Sequence, residues 1–429
     1  MSQASDPHTV ALAKKEEEPA PLDEVRNGYQ KTKLGWTPKD WEVVELKEIS
    51  EKITKGSTPT TYGFSWQENG VLFLRNESIK DHGLYLEPAM RISEKAHDHM
   101  RRSKIRKGDI LVTITGDVGR VVKYELDEEA NVNQHIAKVR IVKEGFDPDY
   151  IKHYLSRWEV KKEYLKITTG QAYPQISLKQ VQDTKVAAPP LPQQRRIADI
   201  LATWDRAIEQ TERLIEKKEE LKKGLIEELM TGKKRLPGFS WEWKKWKIRQ
   251  LSGYEKITIT PSKQPREVFA YYSIPAYMEK EQPFYINGDE IKSEKLIINE
   301  DVILFGKLNP RVWKVWFVGE ARSNKMIAST EFVPVEIPNY IDRRFIYYKL
   351  KTKIIKSLVR NMVSGSTGSH QRISREDFLS LKVDYPPFEE RSEIVKILDD
   401  IHKEVSDLKR ELFLIKEEKT ALLKNLLNN

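Results

Sequence analysis

The 429-residue sequence contains no cysteine. That absence removes disulfides, thiolate zinc sites, iron-sulfur clusters and thiol nucleophiles together, and it fits a reducing compartment. No apolar run approaches the roughly 18 residues of a membrane span, and the opening MSQASDPHTVALAKKEEEPAPLDE has no apolar signal-peptide core. A soluble, cytoplasmic protein without membrane contact is the expectation. Residues 1–28 are charged, contain proline and have few large apolar groups, so they read as a flexible leader. Also missing are a P-loop, a Gly-x-Ser-x-Gly elbow and a His-Glu-x-x-His pair. His97 and His99 form an HDH triplet with no third ligand in view, which favours a solvated turn and no metal.

What the chain does have is positive charge. Lysine and arginine number 74 against 65 acidic residues, a net +9 with a pI near 9.1. A polyanionic partner is compatible with that excess, because cations that neutralise phosphates release condensed counterions.

The chain also repeats itself. Residues 176–201 and 373–398 align without a gap at an offset of 197, with nine identities in 26 positions, among them Pro189/Pro386, Pro190/Pro387, Ile197/Ile394 and Leu201/Leu398. Upstream, GWTPKDWEVVELKEI (35–49) returns as GFSWEWKKWKIRQL (238–251), and KGDILVTITG (107–116) returns more faintly as NEDVILFGKL (299–308). Two halves follow, each a variable stretch of about 150 residues and then a helix.

The runs GVLFLR (70–75), DILVTITG (109–116), AKVRIV (137–142), KVWFVG (314–319) and FVPVEI (332–337) are rich in β-branched and aromatic residues and read as strands. Residues 148–167 and 340–359 space their apolar groups helically. Each variable stretch is therefore expected to be an α+β globule.

After the prolines comes a heptad seam. Steps of three and four give Ile197, Leu201, Trp204, Ile208, Ile215, Leu225 and Leu229 in the first copy, interrupted by Thr211, Lys218 and Lys222. The second gives Ile394, Leu398, Ile401, Val405, Leu408, Leu412, Ile415, Leu422 and Leu426, interrupted by Lys419. Helices of about 37 residues span roughly 55 Å at a 1.5 Å rise. Neither can stand alone with so bare a stripe, so the two are expected to pair as an antiparallel coiled coil, a rod with a globule at each end.

The tetrapeptide Tyr385-Pro386-Pro387-Phe388 looks like the catalytic strip of an adenine methyltransferase. Such a strip needs Asn, Asp or Ser before the prolines to accept from the target amino group, and Tyr385 and Ala188 cannot serve. A double proline instead makes a stiff corner between a strand and a helix start.

The strips GWTPKDWEVVELKEI, KGDILVTITGDVG, VNQHIAKVR, APPLPQQRRIADIL, LKKGLIEELMTGKKR, GKLNPRVWKV, STEFV and YPPFEERSEIVKIL together resemble the specificity subunit of type I restriction-modification systems, across about residues 29–429. The resemblance implies two target-recognition domains, 29–190 and 235–387, alternating with helical repeats at 191–234 and 388–429. It implies that each globule reads one half of a bipartite double-stranded DNA target, and that the helices fix the spacing and bind two modification subunits. Restriction subunits join through these. The chain would bind no cofactor, while the complex would use S-adenosylmethionine, and ATP and Mg for restriction. The variable stretches are poorly alike, so the half-sites should differ.

Lys and Arg are suited to phosphates, and Arg, Asn, Gln, Ser and Thr to base edges. Strand-connecting loops display them best. On that ground Lys55, Thr58, Arg75, Asn76, Arg120, Gln171 and Tyr173 are candidates in the first globule, and Lys307, Asn309, Arg311, Ser366, His370 and Arg372 in the second. Trp36, Trp41, Trp241, Trp243 and Trp246 recur in the framework strips and read as packing residues. Two other readings stay open: a self-sufficient DNA methyltransferase, which would bind S-adenosylmethionine, and a structural coiled-coil scaffold, which would show no sequence-dependent DNA affinity.

Overall fold

A computed structural model of the chain describes residues 28–80, 83–87, 90–170, 173–319, 325–363 and 371–427. The expected leader, apart from Gly28, lies outside the described residues, as do Gln171, Ser366 and His370. No helix among the described residues is long and apolar enough to cross a membrane. The chain divides into two compact units: residues 1–209 with 415–429, and residues 210–414.

The first unit holds a five-stranded sheet in the order Lys104–Ile105, Ala130–Val132, Val71–Leu74, Met90–Ile92, Trp66–Gln67. Beside it in sequence lies a four-stranded sheet ordered Val121–Lys123, Ile110–Thr113, Ile136–Val139, Thr54–Lys55. The second unit repeats the plan, with Thr258–Ile259, Lys295–Ile297, Lys325–Ala328, Val268–Tyr272, Phe284–Asn287 in one sheet and Val315–Phe317, Val302–Gly306, Phe332–Glu336 in the other. Each five-stranded sheet has one parallel pair, Val71–Leu74 with Ala130–Val132 and Val268–Tyr272 with Lys325–Ala328. All five sequence runs read as strands overlap one.

Residues 148–167 and 340–359 are not single helices. Each breaks in two, Pro148–Leu155 then Trp158–Lys166, and Tyr340–Leu350 then Lys353–Asn361. The periodicity survives the break because a new N-cap starts at once: Thr352, at φ −69° and ψ 152°, accepts a hydrogen bond from Ile355 N.

The double prolines stand where a strand turns into a long helix. Lys185–Ala188 pairs with Glu42–Glu45 and leads into the first long helix, Leu191–Met230; Lys382–Tyr385 pairs with Lys244–Lys247 and leads into the second, Phe388–Leu427. Gln194 donates to Pro189 O (2.8 Å), and its repeat counterpart Arg391 donates to Pro386 O. Tyr385 is a packing residue, its ring 4.0 Å from the Arg391 guanidinium and edge-on to Phe345.

In the first unit Leu422, Leu423, Leu426 and Leu427 pack around Ile197, Ala198 and Leu201, so the end of the second long helix lies on the start of the first. In the second unit Ile226, Leu229 and Met230 pack with Ile394, Val395 and Leu398, while Lys218 pairs with Glu404 (2.8 Å) and Glu219 with Lys409 (2.6 Å). Within each unit the helix segments run antiparallel. Among the seam positions, Ile197, Leu201, Ile208, Ile215, Leu229, Ile394, Leu398, Ile401 and Val405 are buried. Trp204, Leu225, Leu408, Leu412, Ile415, Leu422 and Leu426 are half-buried.

The seam lysine Lys419 is neutralised in the first unit. Asp205 accepts from Lys419 through Oδ1 and from Lys152 through Oδ2 (2.5 Å), with the buried His153 3.8 Å away. Burial alone would raise the Asp205 pKa, but Lys152 and Lys419 hold it well below the usual carboxylate range. Its folded value is therefore below its unfolded value near ~3.9, so its contribution is present at neutral pH and lost only as the pH falls below that point. Asp205→Asn is expected to destabilise the first unit by about 1–3 kcal/mol at pH 7, since the side chain is partly solvated, and by less near pH 2. Urea titrations at the two pH values measure this, and equal losses at both would refute it.

Two expectations about single residues are corrected. His97 is a buried residue of the helix Glu94–His99, with Nδ1 2.5 Å from Asn131 Oδ1 and Nε2 3.3 Å from Glu129, and does not sit on a solvated turn. No cluster of three or more His, Cys, Asp or Glu suited to a metal occurs among the described residues. Trp241 is 70% exposed, whereas Trp41 is buried and Trp243 packs edge-on to Phe345.

Candidate nucleic-acid interface

Both units build the same loop platform from the end of a central strand. In the first, Ile110–Thr113 continues into Ile114, Thr115 and Gly116, which ladder against 174–176: Gly116 N donates to Pro174 O (2.8 Å) and Ile176 N to Ile114 O (2.9 Å). In the second, Val302–Gly306 continues to Asn309, whose N donates to Gln371 O (2.8 Å), while Ile373 N donates to Lys307 O (3.3 Å). The register makes Gly116 and Asn309 equivalent, and both are left-handed, at φ 76° and 45°. Glycine takes that conformation freely, and asparagine tolerates it better than most residues with a side chain.

The missing side chain at Gly116 leaves room for two others. The Asn76 amide lies 3.4 Å, and the Tyr173 ring 3.8 Å, from where a Cβ would stand. Asn76 Nδ2 donates to Thr115 O (2.9 Å), and among the described residues its buried Oδ1 has no hydrogen-bond partner. Tyr173, 58% exposed, meets His135 edge-on at 6.2 Å. His135 Nε2 is 3.0 Å from Gln134 Nε2, and Thr58 Oγ1 donates to Gln134 Oε1 (2.5 Å). Thr58 is thus linked through Gln134 and His135 to Tyr173, and Asn76 and Tyr173 both approach Gly116, with Lys55 exposed on the neighbouring strand Thr54–Lys55.

Two of the arginines stand differently. Arg75 is half-buried, 3.7 Å from Glu77. The Arg120 guanidinium is occupied by Asp117 (2.5 Å) and by Ile79 O (3.2 Å), a framework arrangement. Thr113 Oγ1 holds the same loop by donating to Asp117 O (2.5 Å) and accepting from Arg120 N (2.9 Å).

In the second unit Lys307, Asn309 and Arg372 come together. Arg372 is held by both oxygens of Glu331 (3.1 and 3.2 Å), whose carbonyl also accepts from Lys307 N (2.8 Å). Arg311 is exposed two residues beyond Asn309. The buried Lys314 donates to Asn309 O (3.2 Å) and Val312 O (2.5 Å), so a lysine tethers the loop from inside, its pKa lowered by burial. Asn309 Oδ1, like Asn76 Oδ1, is buried without a hydrogen-bond partner among the described residues.

Gln134, His135, Lys314 and Glu331 were not singled out by sequence. Gln134 and His135 sit in VNQHIAKVR directly before the strand Ile136–Val139, a turn position with no periodicity to mark it.

Residues 38–221 and 241–413 each match the family model of the type I restriction modification DNA specificity domain. The chain belongs to that family. It carries the domain twice. It is 25% identical over 430 residues to the protein described as the type I restriction enzyme MjaX specificity subunit of Methanocaldococcus jannaschii, covering 93% of this chain and 95% of that protein. The MjaIX specificity subunit of the same organism is 23% identical over 424 residues, at the same coverage of both chains. In fold, the chain is similar to the crystal structure of a type I restriction-modification S subunit from M. genitalium, with a TM-score of 0.57, 15% identity, and coverage of 94% and 98%.

Proposed function

We propose that this chain is the noncatalytic DNA-recognition subunit of a type I restriction-modification complex, each unit reading one half of an asymmetric bipartite duplex target. The proposed domain plan is recognition domains at 29–190 and 235–387 and helical repeats at 191–234 and 388–429. The helices set the half-site spacing and dock two modification subunits, through which restriction subunits join. Methyl transfer from S-adenosylmethionine and ATP- and Mg-dependent restriction then belong to those partners. The complex would act in the cytoplasm.

The observation that carries this reading is one loop platform built twice with unlike side chains. Asparagine reads adenine edges well, and lysine and arginine hold phosphates or guanine. We assign Thr58, Asn76 and Tyr173 to the first half-site, with Lys55 on the backbone. Lys307, Asn309, Arg311 and Arg372 go to the second. Arg120 is assigned to holding its own loop.

Selection from random duplexes by the reconstituted complex should return two dissimilar short motifs with a fixed unread gap. Replacing residues 36–187 by a foreign counterpart should change one motif only. A single continuous motif would rule the reading out. Binding of S-adenosylmethionine by the isolated chain would favour the methyltransferase alternative.

A further inference from the structure

The repeat places two seam sites in correspondence, and they differ in charge. His402 stands 197 residues after Asp205, and Lys419 stands 197 residues after Lys222. Lys152 lies four residues before the helix cap Ser156, and Tyr347 four before the equivalent cap Lys351. The first unit therefore has two lysines around a carboxylate. The second has no carboxylate in that place.

Lys222 Nζ there lies 2.5 Å from His402 Nδ1. Lys351 donates to Tyr347 OH, its ammonium 4.1 Å from the ring centre. Lys222 and Lys351 are half-buried and His402 is exposed. Among the described residues neither lysine has a carboxylate within ion-pair distance. The nearby acids are engaged: Asp399 by Arg344 (2.7 Å from Nε), Glu219 by Lys409 (2.6 Å) and Glu404 by Lys218 (2.8 Å). Glu281 favours the charged form of Lys351 from farther off. Burial, then the repulsion of Lys351 and Arg344, lowers Lys222 to about 8; burial likewise lowers Lys351 to about 8. Although the residue as a whole is exposed, desolvation of its imidazole between the helices, then the charge of Lys222, brings His402 down to about 4, so at pH 7 it is a neutral acceptor.

We propose that Lys222, Lys351 and His402 form a binding site for a carboxylate, which completes in the second unit the arrangement that Asp205 completes in the first. The source is a small organic acid or an acidic side chain of a docked protein. The geometry of the first unit is the template: one carboxylate bridging two ammonium groups, one on a long helix and one on the recognition domain.

The test is peptide-mapped lysine acylation of the full chain at pH 8, in sodium acetate against sodium chloride at equal ionic strength. Bound acetate favours the charged ammonium, and a pKa rise of about one unit from about 8 cuts the reactive neutral amine at pH 8 about fivefold. Lys222 should slow about fivefold in acetate, and Lys419 should not change. Lys351→Met should weaken the protection. His402→Asp, supplying the carboxylate internally, should protect Lys222 in chloride and abolish the acetate effect. Equal Lys222 rates in acetate and chloride, or stronger protection by inorganic phosphate, would overturn the proposal. One further arm, the complex with modification subunits in chloride, uses the proposed function. Protection there assigns the carboxylate to a partner side chain; protection by acetate alone assigns it to a small acid. The acetate arm stands without that reading.

Discussion

Glu390→Ala is expected to cost the second unit about 3–5 kcal/mol, the range for removing one partner of a buried ion pair. The Glu390 side chain is fully buried, accepting from Arg235 Nε (2.6 Å) and Nη2 (2.8 Å) and from Trp243 Nε1 (2.9 Å). Without it the Arg235 guanidinium and an indole N–H are left beside the core. Trp243 also leads directly into Lys244–Lys247, which pairs with Lys382–Tyr385, so the damage spreads to the strand that launches the second long helix. The repeat equivalent in the first unit is the uncharged Gln193, so that unit has no such pair to lose. Urea unfolding followed by tryptophan fluorescence reports the loss, and duplex selection should keep one half-motif while the other fades. A cost below about 1 kcal/mol would show that the pair is energetically idle.

Leu408→Asp together with Leu412→Asp is expected to abolish assembly with the modification subunits. Both leucines are half-buried on the second long helix within the second unit, in a stretch flanked by the Lys218–Glu404 and Glu219–Lys409 pairs. Desolvating two new carboxylates in an apolar seam costs several kcal/mol, more than the flanking surface pairs return. Co-expression followed by size-exclusion chromatography tests this. Undiminished co-elution would mean that pairing of the helices is not what the partners require.

Much of the architecture was legible because it rests on local pattern. The heptads named residues that are buried or half-buried along the two long helices, and the β-branched runs named five strands. The double prolines marked both helix starts. The breaks at Ser156 and Lys351 were not legible, since the apolar spacing continues across them and only the cap geometry interrupts the hydrogen bonding.

The candidate interface was legible only in part. Arg120 looks available in GDVGR, yet one of its acceptors, Ile79 O, lies 41 residues away in sequence. His97 looks like half of a surface HDH triplet, but Asn131 and Glu129 reach it from more than 30 residues on. Gln134 and His135 gained their place through contact with Thr58 and Tyr173.

Duplication, strand and helix identity, and the apolar seam are written in the order of residues, because periodicity and turn chemistry act over a few positions. Which polar side chains are taken and which are left open was decided by folding alone. A hydrogen bond or ion pair is met by whichever group the packed chain brings within about 3 Å, and sequence distance carries no information about that. That Asp205 and His402 occupy the same place in the repeat is read from the sequence, but that lysines 53 and 214 residues away close on Asp205 was decided by the fold.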